Sequence, residues 1–228
     1  YWIPREFMEF NVWRVFSSHF EEKQGVLRGK EESQASIGSK GLWKEAKNFE
    51  DLMHDKTILI KAVSVFDLSS NIPANSVDYC FTDPPYGDSI QYYELSKLWA
   101  SWVRLETDST EEIIFNPQQG KDQKFYFGLL RKGFDEIYRI LKPDCYLTVT
   151  FHNTKVNIFN MIIRATEYAG FQLEKIVYQK SSRAGAKALG QPYGSAIGDY
   201  YLRFKKQRTP KQIREVDVSD EQYKRIVI

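Results

Sequence analysis

An α/β fold built on a mainly parallel sheet is what this 228-residue sequence predicts. Three observations lead there. Apolar runs of strand character stand at 57–65, 77–82 and 146–151, the last two separated by helical stretches of ten or more residues, the grammar of strand–crossover–strand units. Two later runs, 173–179 and 200–205, are joined by a Gly-rich loop without a helix, so they are expected to pair antiparallel at one edge. A composition of 42% apolar and 27% charged residues suits a folded chain with its own core.

Taken in order, the elements begin with helix. Residues 4–28 carry Phe7, Phe10, Val12, Trp13, Val15, Phe16 and Phe20 close to a 3.6-residue period. The small, polar stretch 33–41 (SQASIGSKG) reads as a loop, and 42–53 as a second helix. The run 57–65 (TILIKAVSV) is the first strand, 69–75 (SSNIPAN) a turn, and 77–82 (VDYCFT) a short strand that stops at Asp83-Pro84-Pro85. Residues 93–103 look helical, with Trp99 and Trp102 three apart. The clearest helix is 125–141, closed by Lys142-Pro143-Asp144 and followed by a buried strand at 146–151 (YLTVTF). A last helix, 155–168, ends before Gly170.

Composition excludes several functions. Lys and Arg number 32 against 30 acids, a net charge of +2, which argues against holding nucleic acid by bulk charge. Cys80 and Cys145, with His19, His54 and His152, make no CxxC or HxxxH spacing, so no metal site is expected. Two thiols within apolar runs suit a reduced, cytoplasmic protein. No apolar stretch approaches the ~20 residues that span a bilayer, and no membrane partner is expected. Aromatic residues, 15% of the chain, read mostly as core. Lys205, Lys206, Arg208, Lys211 and Arg214, without an acid between them, read as a solvated end unless a nucleic acid is implied elsewhere.

One motif implies it. Thr82-Asp83-Pro84-Pro85-Tyr86 lies where a strand ends, the edge at which open α/β sheets bind ligands. Two prolines fix two φ angles and remove two N–H donors, which leaves a stiff loop of carbonyls between an acid and a ring. Such a loop suits an exocyclic amine on a flat base. The Asp83 carboxylate accepts one N–H, the Pro84 carbonyl the other, and Tyr86 offers a stacking face. Two acceptors aimed at the amine favour its pyramidal form, free the lone pair, and stabilise the positive charge that grows on nitrogen during attack on a methyl group.

Asp83-Pro84-Pro85-Tyr86 resembles motif IV of the S-adenosylmethionine-dependent amino-methyltransferases, chiefly the DNA adenine-N6 and cytosine-N4 enzymes. Asn75-Ser76-Val77-Asp78-Tyr79 resembles the family's strand into that motif, and Ile137-Tyr138-Arg139-Ile140-Leu141-Lys142-Pro143 its helix end before the next strand, with Asp144 and Cys145 in place of a Gly pair. The resemblance covers residues 58–206. It implies a Rossmann-like class I methyltransferase sheet, with an N-terminal helical segment at 1–56, a catalytic region at 57–206 and a basic tail at 207–228. It implies S-adenosylmethionine as cofactor and a DNA adenine, flipped out of the duplex, as target. Asp83, Pro84, Pro85 and Tyr86 are then catalytic, and Asp67, Thr82 and Asp83 touch the cofactor. Gly87 after the motif also occurs in RNA guanine-N2 methyltransferases, which keeps RNA as an alternative, beside a non-catalytic nucleic-acid-binding domain.

Other candidates for the substrate side follow from position. Gly87, Asp88, Gln91 and Tyr92 edge the same cleft or form a helix-entry loop. His152 and Asn153 end the next strand, either lining the target pocket or capping the following helix. Lys121, Arg183 and Lys187 sit in polar loops as clamps for a nucleic-acid backbone, or as solvated charge.

One part is missing from the pattern. No Gly-rich turn of the kind that approaches the cofactor's methionine part precedes 57, and Gly194 to Gly198, a G-x-x-x-G spacing, does not follow a strand. If 57–65 is the family's third strand, the first two strands and the cofactor loop are absent, and the sheet lacks its centre. The chain, which starts at Tyr1 rather than Met, is therefore expected to be a part of a larger enzyme, or to be completed by a partner chain.

Overall fold

A computed structural model describes residues 11–20, 25–37, 44–153, 155–180 and 198–208. The chain divides into two compact units, Tyr1–Lys61 and Ala62–Ile228.

The first unit holds α1 (Val12–Phe20), α2 (Val26–Ile37) and a two-residue parallel pair of β1 (Lys44–Glu45) with β2 (Thr57–Ile58). On α1, Trp13, Phe16 and Phe20 recur at helical spacing as an exposed row of stacked rings. Several expectations are corrected here. The helix expected over 4–28 ends at Phe20, and a second helix runs on to Ile37 through part of the expected loop. Good helix formers and an Arg28–Glu32 pair one turn apart, at 2.6 Å, outweigh the serines there. Of the helix expected over 42–53, the described residues 44–53 form no α-helix. The Asp51 carboxylate accepts from Lys47 N–H at 2.9 Å and Asn48 Oδ1 from Asp51 N–H at 3.1 Å, local bonds that compete with a helical ladder and leave a 3₁₀ turn at Glu50–Met53. The strand expected at 57–65 is extended only at Thr57–Ile58, pairs with β1 and takes no place in the main sheet.

The second unit is the α/β layer. Its sheet contains β3 (Val77–Thr82), β4 (Leu141–Phe151), β5 (Phe171–Lys180) and β6 (Gly198–Lys206) in the order β3-β4-β6-β5. The β3–β4 pair is parallel, and β5 and β6 pair antiparallel as expected. That pair forms one edge of the sheet, with β5 outermost and β6 against β4, so three strands run one way and one returns between them. Among the described residues no strand lies beyond β3.

The longest helix, α4 (Gln123–Ile140), starts at Asp122, whose carboxylate accepts from Phe125 N–H at 2.8 Å. Its buried stripe of Tyr126, Leu130, Gly133, Phe134, Ile137 and Ile140 follows the helical period and meets the sheet. There is no gap between α4 and β4: the strand begins at Leu141 and includes Pro143, five residues earlier than expected. Asp144 takes a left-handed φ of 65°, which a short polar side chain tolerates where the resembling family has Gly. The Lys206 ammonium is buried at this junction and donates to Asn75 Oδ1 (2.8 Å), Tyr138 O (2.6 Å) and Leu141 O (2.7 Å), satisfying carbonyls at the end of α4.

α5 (Val156–Tyr168) packs beside α4 on the same face. Together they enclose Leu147, Val149, Phe151, Leu202 and Phe204. By the two-residue period of strands, Tyr79, Phe81, Thr148 and Tyr201 belong to the opposite face. That face stays open at β3, where Tyr79 is 52% and Phe81 57% exposed. Preceding β3, a 3₁₀ segment at Val65–Ser70 packs Val65 and Phe66 against Gly133 of α4. Helix α3 (Tyr92–Trp102) buries only Ala100 and leaves Leu95, Leu98, Trp99 and Trp102 exposed.

Candidate active site

β3 stops at Thr82, opposite Val149, because the two prolines that follow have no N–H to extend the ladder. The chain then turns over the first turns of α4 and α5, and four backbone polar groups of the turn are bonded to its surroundings. Tyr126 Oη donates to the Pro85 carbonyl at 2.7 Å and accepts from Gly87 N–H at 3.1 Å. Asn153 Nδ2 donates to the Tyr86 carbonyl at 2.9 Å, which also accepts from Ser89 N–H at 3.3 Å. The Gly87 carbonyl accepts from Phe115 N–H at 3.3 Å. Among the described residues no donor reaches the Pro84 carbonyl. The loop is therefore a stiff carrier on which the Pro84 carbonyl and the exposed Asp83 carboxylate remain for a ligand.

Gly87 makes the turn possible. Its φ is +68°, and a Cβ placed there would lie 2.9 Å from Ile158 Cγ2. Both the conformation and the space call for glycine.

The Tyr86 hydroxyl donates to Asp83 Oδ1. Its ring lies edge-on to Phe151, with centroids 5.1 Å apart and planes at 79°. Burial, and secondly the bond to the Asp83 carboxylate, push the Tyr86 phenol well above its ordinary range, so it stays protonated and a donor. An incoming amine must share Asp83 with this hydroxyl or displace it. Sharing adds a second donor to the carboxylate and displacement exchanges one donor for another, in both cases without a change in charge.

The other predicted residues are placed as follows. Asp88 is paired with the Lys155 ammonium. Gln91 Oε1 accepts from Asn116 Nδ2 at 2.7 Å and so secures the 116–119 loop, while Tyr92 is exposed at the start of α3. The Lys121 reading is corrected. Its ammonium is buried, donating to Ser109 O at 2.5 Å and pairing with Glu112 at 3.2 Å, which suits a structural cation and not a phosphate clamp. Arg183 and Lys187 lie outside the described residues, as does Gly194. His152 Nδ1 is 2.6 Å from the Gly198 carbonyl and ties the end of β4 to the start of β6. Asn153 lies in the site as a brace. It is not the helix cap, because that position belongs to Lys155, whose N–H the Asn153 Oδ1 accepts at 2.7 Å. Thr82 is half-buried, its carbonyl 3.5 Å from Thr150 Oγ1.

Asp67 loses the premise of its assignment. It stands in the 3₁₀ segment and not at the carboxyl end of a sheet strand, and Gly133, against which that segment packs, is about two helical turns from Tyr126 along α4. The described residues thus offer two hydrogen-bond acceptors, the Asp83 carboxylate and the Pro84 carbonyl, at the end of β3. They do not include a Gly-rich turn after a strand or an acid at a second strand end for the cofactor.

Tyr126 is the residue bonded to the turn that sequence reading missed. The signal was a tyrosine within the aliphatic stripe of α4, because a phenol that faces a core must find a partner for its hydroxyl. Cys80 and Cys145 are free thiols. Burial raises the Cys80 thiol to about 11, in keeping with a packed role. Among the described residues no three His, Cys, Asp or Glu side chains gather as a metal site, and no helix is long and apolar enough to cross a membrane.

No protein-family model and no curated protein matches the chain. Among solved structures it is similar to TTHA0409 of Thermus thermophilus, described as a candidate DNA modification methylase and solved with S-adenosyl-L-methionine, at 15% identity and a TM-score of 0.41, covering 65% of this chain and 54% of that one. It is similar to PvuII DNA methyltransferase (cytosine-N4-specific) at 15% identity and a TM-score of 0.41, covering 65% and 49%. TrmN from Thermus thermophilus follows at 12% identity and a TM-score of 0.37, covering 77% and 39%. The chain spans about half the length of the first solved structures it matches.

Proposed function

We propose that this chain carries the target-amine half of an S-adenosylmethionine-dependent DNA methyltransferase acting on adenine N6. The observation that carries the reading is the loop at the end of β3: a rigid Asp-Pro-Pro-Tyr turn whose Pro84 carbonyl has no donor among the described residues and whose Asp83 carboxylate is exposed beside it. Two acceptors on a stiff turn match the two hydrogens of one exocyclic amine. The Asp form of the motif, by the resemblance stated above, favours adenine over cytosine.

Asp83 and the Pro84 carbonyl hold the amine and stabilise the positive charge that develops on its nitrogen. Tyr86 contributes a ring at the mouth and a protonated hydroxyl that holds Asp83 until the base arrives. The cofactor, when bound, supplies the electrophilic methyl group. Its cradle is assigned to further polypeptide alongside β3, from a longer form of the chain or from a partner. The open outer side of β3 and the exposed rings of Tyr79 and Phe81 support that placement. Gly87 gives no separate support to an RNA substrate, because the backbone conformation and the contact with Ile158 already require glycine there.

The test is methyl transfer from labelled S-adenosylmethionine to DNA and to tRNA, using the longest natural form of the chain. Label at N6 of adenine in DNA is expected. Transfer to tRNA alone would move the assignment to the RNA reading, and transfer to neither would leave the binding-domain reading. The 228-residue chain by itself is expected to bind the cofactor weakly or not at all, and micromolar binding in calorimetry would overturn the division into halves.

A further inference from the structure

We propose that Tyr126 is a positioning residue for this site, the strut that holds the Pro84 carbonyl and the Asp83 carboxylate in register with the target amine. The inference rests on the amino-methyltransferase reading and adds a residue that the motif does not contain.

Tyr126 belongs to the first turn and a half of α4, a helix anchored at Asp122 and packed along its length on the sheet. Its side chain is fully buried. The hydroxyl serves both sides of the loop at once, donating to Pro85 O at 2.7 Å and accepting from Gly87 N–H at 3.1 Å. Those two groups flank Tyr86, so a single oxygen sets the curvature of the turn. Burial pushes the phenol up, so the hydroxyl keeps the proton it donates to Pro85.

The arrangement is specific to a phenol. Prolines 84 and 85 bring no N–H of their own, so the turn has few backbone bonds with which to hold itself. Asn153 holds the Tyr86 carbonyl from α5's side, and Tyr126 holds the flanking groups from α4's side. Phenylalanine at 126 would keep the packing and lose the bonds. The Pro85 carbonyl and the Gly87 N–H would then be buried without a partner, and the turn would relax toward solvent. A displacement of the acceptors by an ångström or less is enough to weaken an in-line transfer.

Two readouts on Tyr126→Phe test this. In the natural, active form of the protein, kcat for methyl transfer is expected to fall about 10- to 100-fold with KM for DNA nearly unchanged. In the 228-residue chain, hydrogen exchange at the Gly87 amide is expected to speed up at least about tenfold relative to Tyr126, while amides in β4 keep their protection. An unchanged Gly87 amide, or an unchanged kcat with a faster amide, overturns the proposal. If the variant does not fold, the unmodified protein still decides: a Gly87 amide exchanging as fast as that of Asp88 overturns the proposal, and clear protection of Gly87 upholds the strut. An unmodified protein that transfers no methyl group to any nucleic acid fails at the function itself, a result separate from the exchange measurement.

Discussion

The two faces of the sheet meet at β3 and β4 and are built to different standards. On one face, Phe151 is fully buried among Phe159, Tyr86 and the aliphatic side chains of α4 and α5. On the other, Phe81 touches Tyr201 at a centroid distance of 6.5 Å and is 57% exposed. The same residue type, one strand apart, belongs to a finished core in one case and an unfinished surface in the other. The difference teaches where function is held. The Asp-Pro-Pro-Tyr turn is braced from the finished side by Tyr126, Asn153 and Phe115. The open side is where the cofactor half is proposed to lie.

The contrast can be broken most directly at Phe151. Phe151→Ala is expected to cost about 3–5 kcal/mol in chemical denaturation, because a large ring leaves a closed core. Should it cost less than about 1 kcal/mol, the helix-covered face would not be the stabilising one. Next in size is Asp83→Ala. In the natural active form, transfer should drop about 100- to 1000-fold while DNA binding stays within a few-fold. The exposed carboxylate contributes little to folding, so an equal loss of binding and melting temperature would mark Asp83 as structural.

Smaller effects sharpen the picture. Gly87→Ala forces a left-handed alanine against Ile158 and should destabilise by about 1–3 kcal/mol, measured by thermal unfolding. Lys206→Met removes the donor to Asn75, Tyr138 and Leu141 at the far end of β4 and should cost a similar amount, with the Gly87 amide unaffected. Coupling between the two ends would show instead as faster exchange at Gly87. At the bottom of the scale, Phe81→Ala should change stability by no more than about 0.5 kcal/mol. A larger loss would mean that the open face is covered after all.

Much of the second unit is legible in the sequence because its elements announce themselves locally. β3 is readable to the residue, Val77–Thr82, since prolines cannot extend a ladder. α4 and α5 are readable to within two residues, from an apolar stripe on a 3.6-residue period. The first unit is harder. Its 42–53 stretch has helical composition, but Asn48 and Asp51 bind nearby amides and win over propensity. The 57–65 run has strand composition but extends only at Thr57–Ile58, because strand propensity without a neighbour on which to pair is weak. Lys121 misleads for a related reason: a charged residue in a polar loop gives no sign that Glu112 and the Ser109 carbonyl will bury it.

By itself the sequence determined the α/β class and a stiff turn of acceptors at the end of a strand. Asp83, two prolines and Tyr86 at a strand end define acceptors on a stiff turn whatever surrounds them, because φ restriction and missing donors are properties of the residues. Only the tertiary structure decided which of those acceptors remain available. Tyr126 and Asn153 lie 41 and 67 residues along the chain from the groups they hold, and hydrogen bonds over such separations follow from packing. It likewise placed β6 between β4 and β5 and left β3 at the edge, since strand order depends on which faces and edges are buried together.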